Sequence, residues 1–433
     1  MKIGIIGGSD GLGKTIAYYL KDEFEVTITG RDPKKGQNVA KDIGVKYCKD
    51  NNNLASESDI LIISVPINLT NEVIKEVASS MKPGSLMVDV TSVKEGPSQC
   101  MSESLNEDIE FIPTHPIFGP RTTDLDNQVI VLTPIRKGKW YSKVYNYLDR
   151  KNMRILETTA SKHDYMMSIV QVLTHFSYIS TASAIEKLKV NIKDTEDFES
   201  PIYNLMIDMI ARIVSQNPYL TYYIQSSNKN GAKIRNTFAE AVLELKDTIN
   251  NEDERSFVEI ANKATKNMGD IQGALGRSDK AINSLNHEVN ILYQSLGKEI
   301  GVKHIYSGII HTGILKEINQ GTIILQNKKK TKQIKIANIK LLTDEELYEW
   351  KVKSEKHEIH TISCAFPKNI DKEVIKDTIY RLDNIIEVKI IDVYQGPQIQ
   401  EDHLSLTFEV TGLYKKSIKN VKKLLTGFGG KIR

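Results

Sequence analysis

The sequence predicts an α/β domain with a parallel sheet, then an all-helical domain, then two small domains rich in β-strands. Three observations carry this prediction: short apolar runs alternate with helical patterns up to about residue 158, long helical patterns fill residues 159–298, and short alternating strands begin near Gly301. A βαβ alternation is typical of a parallel sheet, whereas apolar residues spaced by three and four indicate amphipathic helices. At 433 residues the chain is also too long for a single ordinary core.

Composition indicates the broad class of protein. Hydrophobic residues make up 40% and charged residues 26% of the chain, which are ordinary values for a folded globular protein. No apolar run approaches the roughly 20 residues of a membrane helix, and no leader pattern precedes Lys2, so we expect a cytoplasmic protein without membrane contact. Cys48, Cys100 and Cys364 lack the spacing of a metal site, so we predict reduced thiols and no metal.

A glycine-rich turn at residues 7–13 lies between an apolar run and a helical pattern. Glycines let the backbone approach a pyrophosphate closely, and the helix N-terminus supplies free N–H groups. With apolar strands at residues 25–29 and 59–66, the segment predicts a Rossmann domain. The motif fits two registers, one using Gly8 and Gly13 around Asp10, the other using Gly7, Gly11 and Gly13. The residues predicted to contact the dinucleotide are Gly7, Gly8, Ser9, Asp10, Gly11, Leu12, Gly13, Val65 and Pro66.

The end of the second strand carries Gly30 and Arg31, where NAD enzymes usually offer an acidic residue to the ribose 2′-hydroxyl. Because arginine suits a 2′-phosphate, we favour NADP over NAD. The alternative keeps Asp32 as the ribose acceptor and leaves Arg31 solvated.

Six further segments carry a resemblance to one family. They are residues 63–67, 89–97, 114–120, 162–164, 170–176 and 200–218. In this order they resemble prephenate dehydrogenases, and the resemblance covers about residues 1–290. It implies oxidative decarboxylation of prephenate to 4-hydroxyphenylpyruvate, with hydride transfer to NAD(P)⁺, in tyrosine biosynthesis.

Two residues are expected to carry the reaction. By resemblance His115 is the catalytic histidine, and a side chain that titrates near neutrality suits the task of taking the 4-hydroxyl proton. We expect it in a loop after the strand that ends at residue 112. Ser92 follows another strand, where its hydroxyl could orient the imidazole or bind the substrate hydroxyl. The alternative for Ser92 is a helix N-cap.

Four residues are expected to bind the substrate. Lys94 and Arg212 would meet its carboxylates; the alternatives are a surface lysine and an ion pair of Arg212 with Asp208 at i, i+4 spacing. His175 would support the pocket from a helix over residues 166–184, and His163 would do so from the start of that helix. The alternative for each is a core histidine whose hydrogen bonds are satisfied within the protein. Some family members have arginine where this chain has Thr174, so that position receives no role. The resemblance implies a homodimer through the helical domain.

The last third of the chain is basic and changes pattern. Residues 299–350 predict a small β-barrel-like domain, in which the lysine-rich run 328–332 is best explained as a solvated hairpin tip, with nucleic-acid contact as the alternative. Residues 351–433 predict a ferredoxin-like α+β domain of βαββαβ plan. Residues 391–397 resemble the anticodon-binding domain of phenylalanyl-tRNA synthetases. An amino-acid effector such as tyrosine, or RNA, is the expected partner.

The complete prediction is therefore a dinucleotide-binding Rossmann domain at residues 1–158, a helical domain at 159–298 and the two C-terminal domains. Three alternatives stay open: an arogenate dehydrogenase, another NAD(P)-dependent reductase with an RNA-binding tail, and a non-catalytic RNA-binding protein. Turnover of prephenate would distinguish a prephenate dehydrogenase from the other reductase and from the RNA-binding protein. Prephenate carries a keto group in its side chain where arogenate carries an amino group. No residue in the sequence is identified as recognising that group.

Overall fold

A computed structural model describes residues 1–122, 124–319 and 321–433. The chain divides into two compact units, Met1–Gly273 and Ala274–Arg433, which are considered separately. Within the described residues, none of the helices combines the length and the apolar character needed to cross a bilayer. The four predicted domain boundaries stay a prediction.

The first unit begins with a six-stranded parallel sheet whose order is β3-β2-β1-β4-β5-β6. This is the strand order of a Rossmann fold, so that part of the predicted fold class is confirmed. Its elements are β1 (Lys2–Ile6), α1 (Gly11–Leu20), β2 (Glu25–Ile28), α2 (Pro33–Ile43), β3 (Lys46–Tyr47), α3 (Asn51–Glu57), β4 (Ile60–Ile63), α4 (Thr70–Ala78), β5 (Leu86–Asp89), α5 (Glu95–Ser104) and β6 (Glu110–Phe111).

Helices cover both faces of this sheet, which explains the continuous apolar runs in its central strands. Every residue of β4 and β5 is buried. Ile60 and Ile62 pack into one core, whereas Leu61 and Ile63 pack into the core on the opposite face. The alternation of side chains along a strand therefore divides one apolar run between two cores.

A second, three-stranded sheet completes the α/β part. In it β8 pairs antiparallel with β7 and parallel with β9. The elements are β7 (Thr114–Pro116), β8 (Val129–Leu132), α6 (Lys139–Arg150) and β9 (Arg154–Glu157).

The rest of the first unit is helical, as predicted. Its helices are α7 (Ala160–Met167), α8 (Thr174–Lys187), α9 (Pro201–Val214), α10 (Pro218–Ser227), α11 (Gly231–Asn250) and α12 (Glu254–Asn267). The helix predicted over residues 166–184 is interrupted, because Ser168–Leu173 form a π-helical segment between α7 and α8. Helix α13 (Ile271–Gln294) starts at the end of this unit and continues into the second.

The second unit contains two antiparallel sheets, of order β13-β12-β11-β10-β14 and β16-β17-β15-β18. Lys328 and Lys329 form the turn between β12 and β13, as predicted for a hairpin. The second sheet has the predicted order of elements, strand, helix, two strands, helix, strand; its ferredoxin-like class stays a prediction, as does the barrel. The elements are β10 (Glu299–His304), β11 (Ile310–Asn319), β12 (Thr322–Asn327), β13 (Lys330–Lys335), β14 (Ile339–Leu341), α14 (Asp344–Ser354), β15 (Glu358–Pro367), α15 (Lys372–Tyr380), β16 (Ile385–Tyr394), β17 (His403–Gly412), α16 (Lys415–Gly427) and β18 (Lys431–Ile432).

Candidate active site

His115 lies in the short strand β7 rather than in the expected loop. It pairs opposite Val131 of β8 and is only 3% exposed. The preceding Thr114 donates its hydroxyl hydrogen to the carbonyl of Asp89 at 2.7 Å, which fixes β7 to the carboxyl end of β5. The histidine therefore sits at the edge of the sheet where active-site groups of such folds collect.

A chain of hydrogen bonds joins His115 to the helical part of the unit. His115 Nδ1 lies 2.9 Å from His163 Nε2, and His163 Nδ1 lies 2.7 Å from Asp164 Oδ1. All three side chains are buried. The sequence pointed to His163 as a substrate contact, but in the structure its ring contacts the proposed catalytic histidine.

Asp164 was not among the predicted site residues. Its carboxylate accepts the backbone N–H of Lys94 at 2.7 Å and that of Glu95 at 3.0 Å, so it satisfies the first amides of α5. Its own carbonyl accepts a hydrogen bond from the Asn228 side chain at 2.7 Å. The only signal for Asp164 in the sequence was its place beside His163 in a segment that resembles the family.

Lys94 is completely buried, which excludes the surface alternative. Its ammonium forms an ion pair with Asp89 and donates to the carbonyl of Thr114 at 2.7 Å and to the hydroxyl of Thr91 at 3.3 Å. Burial lowers the pKa of Lys94, and the attraction of Asp89 opposes that shift. An ammonium has three donors, and these three partners use them all. The carboxylate-binding role of Lys94 stays a prediction that these contacts do not favour.

Ser92 is half-buried in the loop between β5 and α5. Helix α5 begins at Glu95, with Lys94 at the N-cap position, so Ser92 is not the helix cap that the alternative proposed. The bonds from Asp164 to the amides of Lys94 and Glu95 fix the end of the loop that carries this hydroxyl.

The π-helical segment brings Gln171 to the imidazole. Its side-chain nitrogen lies 3.4 Å from His115 Nε2, on the side of the ring opposite to His163. Single π-helical turns inside helices occur frequently at functional sites. Sequence reasoning missed Gln171, since helical periodicity alone does not distinguish a π turn from a regular one.

His175 and Arg212 lie on α8 and α9. Among the described residues, the half-buried His175 has no hydrogen-bond partner for Nδ1, and burial lowers the pKa of its ring. Arg212 is exposed, and between the described side chains no ion pair joins it to Asp208. The structure thus brings His115, His163 and Lys94 into one network, which does not include Arg212.

The electrostatics of the network favour a neutral His115. Burial lowers the pKa of His115 well below its usual 6.5, and the neighbouring His163 and the Lys94 ammonium lower it further. An imidazole that stays neutral at physiological pH has a nitrogen lone pair free to accept a proton.

The glycine turn follows β1 at the point where the strand order reverses between β1 and β4. Gly7 has a φ of 82°, and a Cβ there would meet the Ser64 carbonyl oxygen at 2.1 Å; a Cβ at Gly13 would meet the Gly7 carbonyl oxygen at 2.5 Å. Gly11 has a φ of 49° and open space where its Cβ would be. A Cβ at Gly8 would come within 2.6 Å of the Ile28 side chain, so both registers contain glycines that no larger residue could replace without a shift.

Arg31 and Asp32 follow β2 near this turn. Arg31 is exposed, whereas the Asp32 carboxylate accepts the backbone N–H of Lys35 at 3.1 Å and caps α2. Gly30 lies against Ser9, where a Cβ would come within 2.1 Å of the Ser9 hydroxyl. Val65 and Pro66 follow β4, and Val65 approaches Gly7. The predicted dinucleotide contacts are thus gathered at one edge of the sheet.

Comparison with protein families finds two matches. Residues 16–157 match the nucleotide-binding domain of prephenate dehydrogenase, and residues 159–263 match the prephenate dehydrogenase dimerization domain. Both matches lie in the first unit, and they cover all the residues of the buried network.

Individual proteins give a consistent picture. A probable arogenate/prephenate dehydrogenase of Methanocaldococcus jannaschii is 40% identical over 100% of this chain and 98% of its own length. The T-protein of Haemophilus influenzae is 28% identical over 62% of this chain and 67% of its own. The crystal structure of prephenate dehydrogenase from Aquifex aeolicus matches 62% of this chain and 99% of that one, with 19% identity and a TM-score of 0.51, which supports the fold.

Proposed function

The chain belongs to the prephenate/arogenate dehydrogenase family, and we propose that it oxidises and decarboxylates prephenate to 4-hydroxyphenylpyruvate with NAD(P)⁺, in tyrosine biosynthesis. The observation that carries the proposal is the buried His115, whose pKa burial lowers, at the carboxyl end of the same parallel sheet that carries the glycine turn after β1. Arogenate is the alternative substrate, since the M. jannaschii relative is described by both names.

In the proposed reaction His115 accepts the proton of the 4-hydroxyl group. As the O–H bond breaks, the carbon that bears this oxygen gains a C=O bond and loses hydride. The ring carboxylate leaves as carbon dioxide, and the electron pair of the broken C–C bond moves through the ring to the carbonyl oxygen. That oxygen takes a proton back from His115, which gives the aromatic ring of 4-hydroxyphenylpyruvate. A bound nicotinamide supplies the hydride acceptor. The protein must hold the hydroxyl within hydrogen-bonding distance of the imidazole, and Ser92, at the end of the neighbouring strand, is proposed to bind the same hydroxyl.

The two carboxylates of the substrate need cations. Arg212 is exposed, and among the described side chains no ion pair joins its guanidinium to Asp208, so we assign it a carboxylate. Lys94 has no donor left, and we propose that it instead holds Asp89, the Thr91 loop and β7 together around His115. The unpartnered Nδ1 of His175 is a further group that a bound substrate could satisfy.

For the cofactor we propose NADP ahead of NAD. The exposed Arg31 can meet a 2′-phosphate, while Asp32 is occupied as the cap of α2. The glycine turn from Gly7 to Gly13, with Val65 and Pro66 at the end of β4, is proposed to hold the dinucleotide.

The assembly proposed is a homodimer through the helical part, which matches a dimerization domain. The second unit is proposed as a site for an amino-acid effector such as tyrosine. The M. jannaschii relative aligns with the whole chain, so it too contains a counterpart of residues 274–433.

Steady-state kinetics of the purified full-length chain test the proposal. Prephenate and arogenate are each assayed with NAD⁺ and NADP⁺, with and without tyrosine. We expect turnover of prephenate, with a higher kcat/KM than for arogenate and a preference for NADP⁺. A preference for arogenate would make arogenate the substrate. If the protein turns over neither compound, the proposal is refuted.

A further inference from the structure

Three buried side chains in line set the proton positions at the site. Asp164 Oδ1 lies 2.7 Å from His163 Nδ1, and His163 Nε2 lies 2.9 Å from His115 Nδ1. The His115 and His163 rings meet edge to face, with centroids 5.1 Å apart. All three groups are at most 3% exposed, so solvent does not compete for these bonds.

The order of donors follows from the carboxylate. An ionised carboxylate only accepts hydrogen bonds, so His163 Nδ1 must carry a hydrogen and donate it to Asp164. In a neutral His163 the other nitrogen, Nε2, is then bare and accepts. Against a neutral His163, His115 Nδ1 is therefore the donor, which leaves the lone pair of a neutral His115 on Nε2, whereas a doubly protonated His163 would donate to Nδ1 and leave the hydrogen on Nε2.

The opposite side of the His115 ring agrees with this order. Gln171 places its side-chain nitrogen 3.4 Å from His115 Nε2, and an amide N–H is a donor suited to a bare ring nitrogen. A substrate hydroxyl that displaced this amide would meet the same lone pair.

Asp164 is itself held in place. Its carboxylate accepts the amides of Lys94 and Glu95, so it cannot turn away from His163 without losing these two bonds, and Asn228 binds the main-chain carbonyl of the same residue. The charged groups around the network are the Lys94 ammonium, paired with Asp89, and Glu95, paired with the exposed Lys229.

We propose that Asp164, acting through His163, is a positioning residue that fixes His115 in the tautomer whose Nε2 is the proton acceptor. The inference rests on the proposed function of His115 as the base. It also assigns His163 to the support of His115 rather than to the substrate. Neither role follows from the resemblance or from the matched families.

Nitrogen NMR of the histidine rings tests the proton positions without any substrate. In the full-length protein at neutral pH, we expect His115 Nε2 and His163 Nε2 to resonate as unprotonated nitrogens and both Nδ1 atoms as protonated ones. A protonated His115 Nε2 overturns the inference. Because this measurement needs no turnover, it distinguishes failure of the inference from failure of the proposed function.

Two variants of His163 separate its two bonds. The carbonyl of a glutamine lies near the position of Nε2 and can still accept from His115, whereas an asparagine reaches only Asp164. We expect His163→Gln to keep kcat within about tenfold of the wild type and His163→Asn to lower it by about 100-fold, the scale of a lost general base. Equal kcat values in the two variants would contradict the inference.

The third variant is Asp164→Asn. An amide has one accepting and one donating end, so it cannot serve all three N–H groups, and His163 is no longer held in one tautomer. We expect two sets of His115 nitrogen signals and a kcat about tenfold or more below the wild type, with unchanged cofactor affinity. Asn228→Ala is the control, because it loosens the same segment without touching the carboxylate; one set of signals is expected there. A single wild-type set in Asp164→Asn would overturn the inference.

Discussion

The α/β part and the helical part of the first unit differ in how completely their side chains are buried. In the α/β part every residue of β4 and β5 is buried, and the helices on both faces contribute to two cores. In the helical part, none of the described side chains of α8 or α12 is buried. Phe198 is 87% exposed and Ile202 is 74% exposed.

This difference separates two requirements of the site. The α/β part is complete within one chain and supplies the base and the glycine turn. The helical part supplies His163, Asp164 and Gln171 to the base, yet leaves apolar surface that a soluble monomer rarely exposes in large patches. We therefore expect the chemistry to depend on the buried residues that both parts bring together, and assembly to depend on the exposed apolar residues of the helical part.

The largest effect is expected from His115→Asn. Asparagine preserves the approximate size and polarity of the side chain but cannot accept a proton at neutral pH, so kcat should fall by about 100-fold or more. Cofactor binding, measured by fluorescence titration, should be unchanged because the glycine turn is intact. Turnover close to that of the wild type would exclude His115 as the base.

The next effect concerns assembly. Replacing Phe198 and Ile202 together by Asp places two charges on exposed apolar surface of the helical part, and we expect the dimer dissociation constant, measured by analytical ultracentrifugation, to rise by tenfold or more. Val374→Asp is the matched control, an exposed apolar residue on α15 in the second unit. If the double variant associates as tightly as the control, the exposed surface is not the interface.

A smaller effect is expected at Arg212. Loss of one cation that binds a substrate carboxylate should raise the KM for prephenate by about tenfold while kcat changes little, because the bond is present in the ground state as well. Arg255→Ala, an exposed arginine on α12 paired with Glu259, serves as the control. An unchanged KM in Arg212→Ala would assign the arginine to the dimer surface or to solvent.

The two parts also differ in how far the sequence predicts them. In the α/β part, apolar runs are local signals, so the parallel sheet was predicted correctly, whereas the residues expected to bind the cofactor stay a prediction. In the helical part the π-helical turn, and with it the place of Gln171, depends on packing that periodicity does not encode.

In the network around His115, local sequence patterns likewise did not predict the contacts of single residues. Lys94 was expected to bind a substrate carboxylate, but it is buried and pairs with Asp89, which lies five residues earlier. Asp164 contacts residues about 70 positions away, a relation that no local pattern reveals.

A modest effect on cofactor affinity is expected from Arg31, which follows β2 at the edge of the sheet that carries the glycine turn. Arg31→Ala removes a cation from an exposed position beside the glycine turn, so it should weaken NADP⁺ by about fivefold and leave NAD⁺ nearly unchanged, the scale of a screened surface contact. Titration of both cofactors into wild type and variant measures the ratio. An equal loss for both would remove the 2′-phosphate role of Arg31.

The smallest effect is expected from pH. A free imidazole of pKa 6.5 would lose roughly two thirds of its neutral form between pH 7 and pH 6. Burial, His163 and Lys94 hold the pKa of His115 well below 6.5, so it stays neutral over this range and kcat/KM should fall by less than about twofold.

The lowered pKa of His115 also determines whether its contribution to stability rises or falls with pH. Because the unfolded chain binds a proton near pH 6.5 and the folded chain only at lower pH, the contribution of His115 to stability is complete above pH 6.5 and is lost as pH falls towards the pKa of the folded state. Denaturant unfolding of the wild type and of His115→Asn at pH 7.5 and pH 5.5 measures it, and the wild type should lose more stability than the variant. An equal loss would show that the α/β part does not hold this ring neutral, and the contrast with the exposed helical surface would then not extend to the base.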